Sequence, residues 1–184
     1  VQNLIRAARL HDLFPIVRVK EGHFTMIGEV LDIGASGVQV PQITTAAEAR
    51  WAVSHAKFAA HDYPEGARGV CRFVRAANYS SIPKNNYFTQ ANEALLILQL
   101  EGEEAIANLD DILAVSGVDV IFVGPYDLSQ SLGVPGEIDH PLVEEKTKRI
   151  IAACADKGVL VGTFTDTPEA LRKWTRLGVR YASY

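Results

Sequence analysis

The stretch Leu95–Ser129, LLILQLEGEEAIANLDDILAVSGVDVIFVGPYDLS, constrains the fold more than any other part of the chain. Its two apolar runs, Leu95–Leu100 and Val118–Val123, are short, rich in β-branched residues and flanked by breakers, the signature of strands buried on both faces. Between them, Glu103–Val115 sets Ala105, Ile106, Leu109, Ile112 and Leu113 on one helical stripe, with Gly117 as a stop. Strand, helix, strand is a βαβ unit, which predicts that the two strands run parallel. Glu101 closes the first strand and Asp127 lies just past the second. Parallel strands end on one face, so the two acids are expected to converge there.

The same alternation extends in both directions. Upstream, the pattern predicts a helix over Gln2–Leu10, a strand over Phe14–Val19 and a helix over Phe24–Asp32 ended by Gly34. A strand over Gly37–Val40 follows, stopped by Pro41, and then a helix over Thr44–Phe58 with Thr44 or Thr45 as N-cap. Ala59–Pro83 breaks the pattern and reads as a long irregular connection, and Tyr87–Glu93 as a short helix. Downstream, a polar segment with Gly133, Pro135 and Gly136 leads to a helix over Pro141–Lys157. The chain closes with a strand over Val159–Thr165, a helix over Thr167–Leu177 and a strand over Val179–Tyr184. Six strands alternating with helices fit either a doubly wound sheet or most of a (β/α)8 barrel. No Gly-x-Gly-x-x-Gly or Walker-type loop follows any strand, which favours the barrel.

Composition narrows the partners. Eighteen Lys+Arg against 22 Asp+Glu give a net charge of -4 with no basic run, which argues against nucleic acid. No apolar stretch is long enough to span a bilayer, and two cysteines without metal-ligand spacing suit a reducing cytoplasmic setting. With 184 residues, one domain is expected.

The candidate site follows from polar residues at strand ends. Gln99 and Glu101 are two apart and share one side of their strand, and a glutamine in an apolar strand needs a polar partner. Asp127 in GPYDLS either caps the following turn or joins Glu101; the pair suits a hard divalent cation such as Mg2+ or Mn2+, with Co2+ a further candidate. Arg18 either pairs at the surface or aims a cation at a carboxylate or developing oxyanion. The glycine of Gly124-Pro125 permits close backbone approach, and the N–H groups of Tyr126 and Asp127 are donors for a carboxylate. Arg68, Arg72 and Arg75 read as solvated sooner than functional and are held in reserve as site residues.

These residues resemble a known family. VRV at Val17–Val19, VP at Val40-Pro41, RGV at Arg68–Val70, RA at Arg75-Ala76, QLE at Gln99–Glu101, GVDVIFVGPYDLS at Gly117–Ser129 and HP at His140-Pro141 follow in order. Their order and spacing are similar to those of the HpcH/HpaI aldolases, metal-dependent class II pyruvate aldolases acting on 2-keto-3-deoxy sugar acids and 4-hydroxy-2-oxo acids. The resemblance implies a TIM (β/α)8 barrel, present here without its first two strands and C-terminal helices as a single incomplete domain over residues 1–184. It implies cleavage of a 4-hydroxy-2-oxo acid to pyruvate and an aldehyde through a metal-held enolate. In that scheme Glu101 and Asp127 are metal ligands, Arg18 stabilises the enolate oxygen and Gln99 lies beside the metal. Gly124, Pro125, Tyr126 and Asp127 then hold the substrate carboxylate.

The family's upstream Asp-x-Glu-His motif, whose histidine serves in the base relay, does not occur in the chain, and Lys20 stands where the Arg18 strand usually continues into Pro. The expectation is a polypeptide extending beyond both ends, with the missing histidine upstream and a homo-oligomer, hexameric by resemblance, built through C-terminal helices. An oxaloacetate decarboxylase, a macrophomate-synthase-like decarboxylating cyclase and a non-catalytic scaffold are the alternative readings.

Overall fold

In the computed structural model, which describes residues 1–184, the alternation becomes six β-strands and nine α-helices, with strands ordered β1-β2-β3-β4-β5-β6 in the sheet. Strand order equal to chain order is what successive βαβ units generate when each crossover adds the next strand on the same side. Contacts divide the chain into two compact units, Val1–Val40 with Arg50–Leu96, and Pro41–Ala49 with Ile97–Tyr184.

The first unit holds α1 (Gln2–Leu10), β1 (Ile16–Arg18), α2 (Thr25–Asp32) and β2 (Gly37–Val40), then most of α3 (Ala46–Ala56) and α4 (Lys84–Asn92). The strands β1 and β2 pair in parallel, Ile16 with Gly37 and Arg18 with Gln39. Gly34 has φ +101°, a conformation that glycine adopts without the Cβ penalty, and so ends α2 as predicted. All four residues of β2 are buried, and Ile27, Val30 and Leu31 of α2 are buried in the core as well.

The long connection predicted over Ala59–Pro83 contains one 3-10 turn, Arg75–Ala77, followed by Asn78, Tyr79 and Ser80 in the left-handed region. It is not loosely solvated. Phe58, Ala77 and Tyr87 form a buried cluster with Val74, Ile82 and Phe88 packed against it. The expectation of a solvated Arg68 is corrected. Its side chain is buried, ion-paired with Asp32 at 2.7 Å and stacked 4.7 Å from the Phe58 ring centre. An ion pair and an aromatic face together compensate the lost hydration of that cation. Lys57 is also fully buried, and its ammonium donates to the carbonyls of Asn92 (2.8 Å) and Ala94 (2.7 Å).

In the second unit, most of β3 (Leu95–Leu100) pairs in parallel with β4 (Val120–Val123), β4 with β5 (Leu160–Phe164) and β5 with β6 (Tyr181–Ser183). All of β4 and the last five residues of β3 are buried, and each such Leu or Ile contributes about 1.5–3 kcal/mol of transfer free energy. The helix predicted over Glu103–Val115 is two helices, α5 (Glu103–Ala107) and α6 (Leu109–Leu113). They part at Asn108, whose amide donates to the Thr44 carbonyl at 2.9 Å. GPYDLS, where one reading has Asp127 capping a turn that follows, opens α7 (Pro125–Ser131), with Pro125 at its first position.

The helices α8 (Pro141–Lys157) and α9 (Pro168–Leu177) follow. Thr167 precedes α9 as its N-cap, accepting from the Ala170 N–H at 3.1 Å. Glu144 of α8 binds Lys148 of the same helix and Lys173 of α9. Neither cysteine is in a disulfide, and burial pushes the Cys154 thiol up to about 12. No helix is long and apolar enough to cross a membrane.

Candidate active site

The second unit assembles its polar residues around Glu101. The strand β3 is apolar up to Leu98, then presents Gln99 and, one pleat further, Glu101, which is only 3% exposed. The amide Nε2 of Gln99 donates to Glu101 Oε2 at 3.0 Å, so the same-side pairing predicted from their spacing is realised as a hydrogen bond. The second donor comes from 59 residues earlier in the chain. The backbone N–H of Gln42 donates to Glu101 Oε1 at 3.0 Å. Gln42 has φ +53°, an uncommon conformation for a non-glycine residue that persists where the surroundings enforce it. Two neighbouring contacts supply that enforcement: Ile43 N–H donates to the Gln99 carbonyl at 3.1 Å, and Asn108 holds Thr44. Glu48 then caps α3, accepting from the N–H groups of Thr44 (2.8 Å) and Thr45 (3.0 Å). Burial pushes the Glu48 carboxyl up, but the Thr44 and Thr45 hydrogen bonds outweigh it and leave the group below its ordinary value.

Gly124 fixes the other side of the carboxylate. The register of β3 on β4 places Leu100 beside Val123, so Glu101 is level with Gly124. A Cβ on Gly124 would lie 2.3 Å from Glu101 Oε2 and 3.1 Å from its Cβ. The glycine is required by close approach, since its φ of -87° suits any residue. Sequence reading anticipated this freedom; the group that takes advantage of it is Glu101.

Pro125 starts α7, and Tyr126 and Asp127 occupy its first turn, both exposed. The N–H groups of Tyr126 and Asp127 precede the first intrahelical bond, made by Leu128 N–H to the Gly124 carbonyl at 2.9 Å. Sequence reasoning overlooked Ser129, which is fully buried. Its hydroxyl donates to the Tyr126 carbonyl (2.6 Å) and accepts from the Gly136 N–H (2.9 Å), fixing the turn that carries Tyr126. The Thr163 hydroxyl on β5 donates to the Val123 carbonyl at 3.1 Å. Arg18 belongs to the first unit, where it is the exposed last residue of β1.

The donor set bears on the implied cation. No group of three or more His, Cys, Asp or Glu side chains gathers anywhere in the chain. Glu101 and Asp127 at the same end of adjacent strands make a two-carboxylate, all-oxygen set. This fits a hard divalent ion whose remaining positions are taken by water and substrate oxygens.

Parallel strands joined by helices, with acids and backbone donors at their carboxyl ends, define an α/β protein. The HpcH/HpaI aldolase/citrate lyase family model matches residues 1–183, and the chain belongs to that family. It is 39% identical over 171 residues to a 2-keto-3-deoxy-L-rhamnonate aldolase of Salmonella gallinarum (strain 287/91 / NCTC 13346), covering 92% of this chain and 62% of that one. A 2-keto-3-deoxy-L-rhamnonate aldolase of Salmonella schwarzengrund (strain CVM19633) is 46% identical over 142 residues, 76% of this chain and 49% of that one. The chain thus spans about half to three fifths of the length of these curated relatives. Among solved structures, an HpcH/HpaI aldolase/citrate lyase family protein from Burkholderia cenocepacia J2315 superposes with TM-score 0.92 at 34% identity, covering 98% of this chain and 71% of that one.

Proposed function

We propose that the chain is a carbon–carbon lyase that cleaves a 4-hydroxy-2-oxo acid into pyruvate and an aldehyde with the help of a divalent cation. The observation that carries this reading is the buried Glu101 carboxylate, held by Gln99 and the Gln42 N–H and pressed against Gly124 at a strand end. Such a carboxylate is oriented before any ligand arrives, and preorganised charge is the largest single source of catalytic stabilisation. The 2-keto-3-deoxy-L-rhamnonate aldolases support the substrate class, since their named substrate is itself a 2-oxo acid. The six strands are read as six of the eight in a (β/α)8 barrel, a reading supported by their strand order and parallel pairing.

Glu101 and Asp127 would hold the cation, which when bound supplies a Lewis acid for the substrate's 2-oxo acid oxygens. Everything else falls to the chain. Gln99 fixes Glu101, and the first-turn N–H groups of Tyr126 and Asp127 donate to the substrate carboxylate. Cleavage passes the proton of the 4-hydroxyl to solvent water, breaks C3–C4 and releases the aldehyde. The bonding pair moves onto C3 and the C2 oxygen, and protonation at C3 gives pyruvate. Arg18 is assigned to the negative charge that grows on the C2 oxygen, because a guanidinium stays charged and offers a planar fork of donors.

The test is pyruvate release from a 4-hydroxy-2-oxo acid with Mg2+ or Mn2+, with and without a chelator. Release that stops with chelator and in Glu101→Gln supports the reading. Absence of release with the native chain, or release that Glu101→Gln leaves unchanged, overturns it.

A further inference from the structure

The two carboxylates assigned to the cation are held in different ways. Glu101 is buried, and each of its oxygens takes a donor of its own, Gln99 Nε2 and the Gln42 N–H. Asp127 is exposed, and its carboxylate makes no hydrogen bond or ion pair. Nothing grips Asp127 by its oxygens, so its place is set by the backbone of the turn Gly124–Asp127. One side chain bonds that backbone. The Ser129 hydroxyl donates to the Tyr126 carbonyl at 2.6 Å. That carbonyl belongs to the peptide unit joining Tyr126 to Asp127. The unit is planar, so restraining its oxygen also restrains the nitrogen and Cα of Asp127.

Ser129 is itself anchored from behind. It is fully buried, its hydroxyl oxygen accepts from the Gly136 N–H at 2.9 Å, and its carbonyl accepts from the Val134 N–H at 2.9 Å. A serine hydroxyl has a single proton, and here it is committed to Tyr126. The segment that supplies the Gly136 N–H is bonded to itself. Glu137 N–H donates to the Val134 carbonyl (3.1 Å), Ile138 N–H to that of Gly136 (3.0 Å) and His140 N–H to that of Glu137 (3.0 Å). Hydrogen bonds in series, from Gly136 through Ser129 to Tyr126, polarise and strengthen one another. One buried oxygen therefore braces the 133–140 segment against the turn that carries Asp127.

We propose that Ser129 is a positioning residue of the cation site: acting through the Tyr126 carbonyl, it holds Asp127 within reach of the ion that Glu101 binds. This rests on the two-carboxylate reading of the site. The demand for a brace comes from the ion. A hard cation such as Mg2+ takes its oxygens at about 2.0–2.1 Å in near-ideal octahedral geometry, so a turn free to drift loses the second ligand. Residues behind metal ligands typically govern affinity about 10–100-fold.

The experiment compares Mn2+ affinity, measured calorimetrically on the whole chain well below its unfolding temperature, with the thermal unfolding midpoint. Ser129→Ala is expected to weaken Mn2+ binding about tenfold or more. Ser129→Cys keeps the volume and a weak donor, so its affinity should fall between native and Ser129→Ala, and it serves where Ser129→Ala does not fold. Thr147→Val is the control for a purely structural loss. Thr147 is also buried, and its hydroxyl donates to the Val143 carbonyl at 2.8 Å within α8. Its loss should lower the midpoint and leave Mn2+ affinity native. Native affinity in the folded serine variants, or an affinity loss in Thr147→Val as large as theirs, overturns the proposal and leaves Glu101 and Asp127 as ligands. A native chain that binds no Mn2+ overturns the two-carboxylate reading and the proposal with it.

Discussion

A carboxylate with 3% exposure is expensive unless its oxygens are satisfied, and at Glu101 each oxygen has a donor of different origin. Glu101→Gln tests the metal assignment cleanly. A glutamine has one acceptor oxygen for two donors, but Gln99 can turn its own amide to present oxygen instead. The fold is therefore expected to persist while the negative charge is lost. Titration with Mn2+ should show binding by the native chain and none by Glu101→Gln or Asp127→Asn; unaltered affinity in both variants excludes them as ligands. Arg18→Ala should lower turnover on the order of a hundredfold, as for loss of an oxyanion donor, and leave Mn2+ affinity nearly unchanged. Arg18→Lys should restore only part, because an ammonium lacks the planar fork. If Mn2+ affinity falls as far as turnover, Arg18 supports the fold instead. At this scale, Gln99, Glu101 and Gly124 were legible because strand periodicity and the lack of a Cβ are local properties. The Gln42 N–H was not, since any residue has one and only tertiary structure aims it.

Among the elements, strand cores were legible and their edges were not. Apolar runs such as Leu95–Leu100 mark burial, whereas the ends of Phe14–Val19, realised as Ile16–Arg18, depend on where pairing stops. The α7 helix was missed because GPYDLS carries turn residues, yet Pro125 at its first position was a usable signal. The break at Asn108 was invisible for the opposite reason, as its cause is a distant carbonyl. Electrostatics between α8 and α9 give a pH prediction. Hydrogen bonds from Lys148 and then Lys173 hold the Glu144 carboxyl down to about 2. A depressed carboxyl stabilises the fold above its ordinary pKa, and that contribution is lost as pH falls from about 4.5 toward 2. Solvent screens the pair, so the contribution is taken as up to about 1 kcal/mol. Denaturant unfolding of the native chain and Glu144→Gln should differ by that amount at pH 7 and converge near pH 2; a constant gap between them would refute the linkage.

For the molecule as a whole, neither compact unit is a continuous piece of chain. The second unit borrows Pro41–Ala49 from the middle of the first unit's sequence, and that loan supplies three contacts around the candidate site. They are Gln42 N–H to Glu101, Ile43 N–H to the Gln99 carbonyl and the Thr44 carbonyl to Asn108. A fragment starting at Ile97 contains Gln99, Glu101, Gly124 and Asp127 but lacks all three. Each lost hydrogen bond that leaves a buried partner unsatisfied costs about 1–3 kcal/mol. Three such losses are a large part of the roughly 5–15 kcal/mol that holds a typical domain folded. Residues 97–184 alone are therefore expected to show reduced helical circular dichroism and no Mn2+ binding by calorimetry. The intact chain carrying Gln42→Pro isolates one of the three contacts, because proline has no N–H and cannot reach φ +53°. It should fold less stably and bind Mn2+ more weakly than the native chain, between native and fragment. A fragment with native ellipticity per residue and native Mn2+ affinity would show that the borrowed segment does not shape the site.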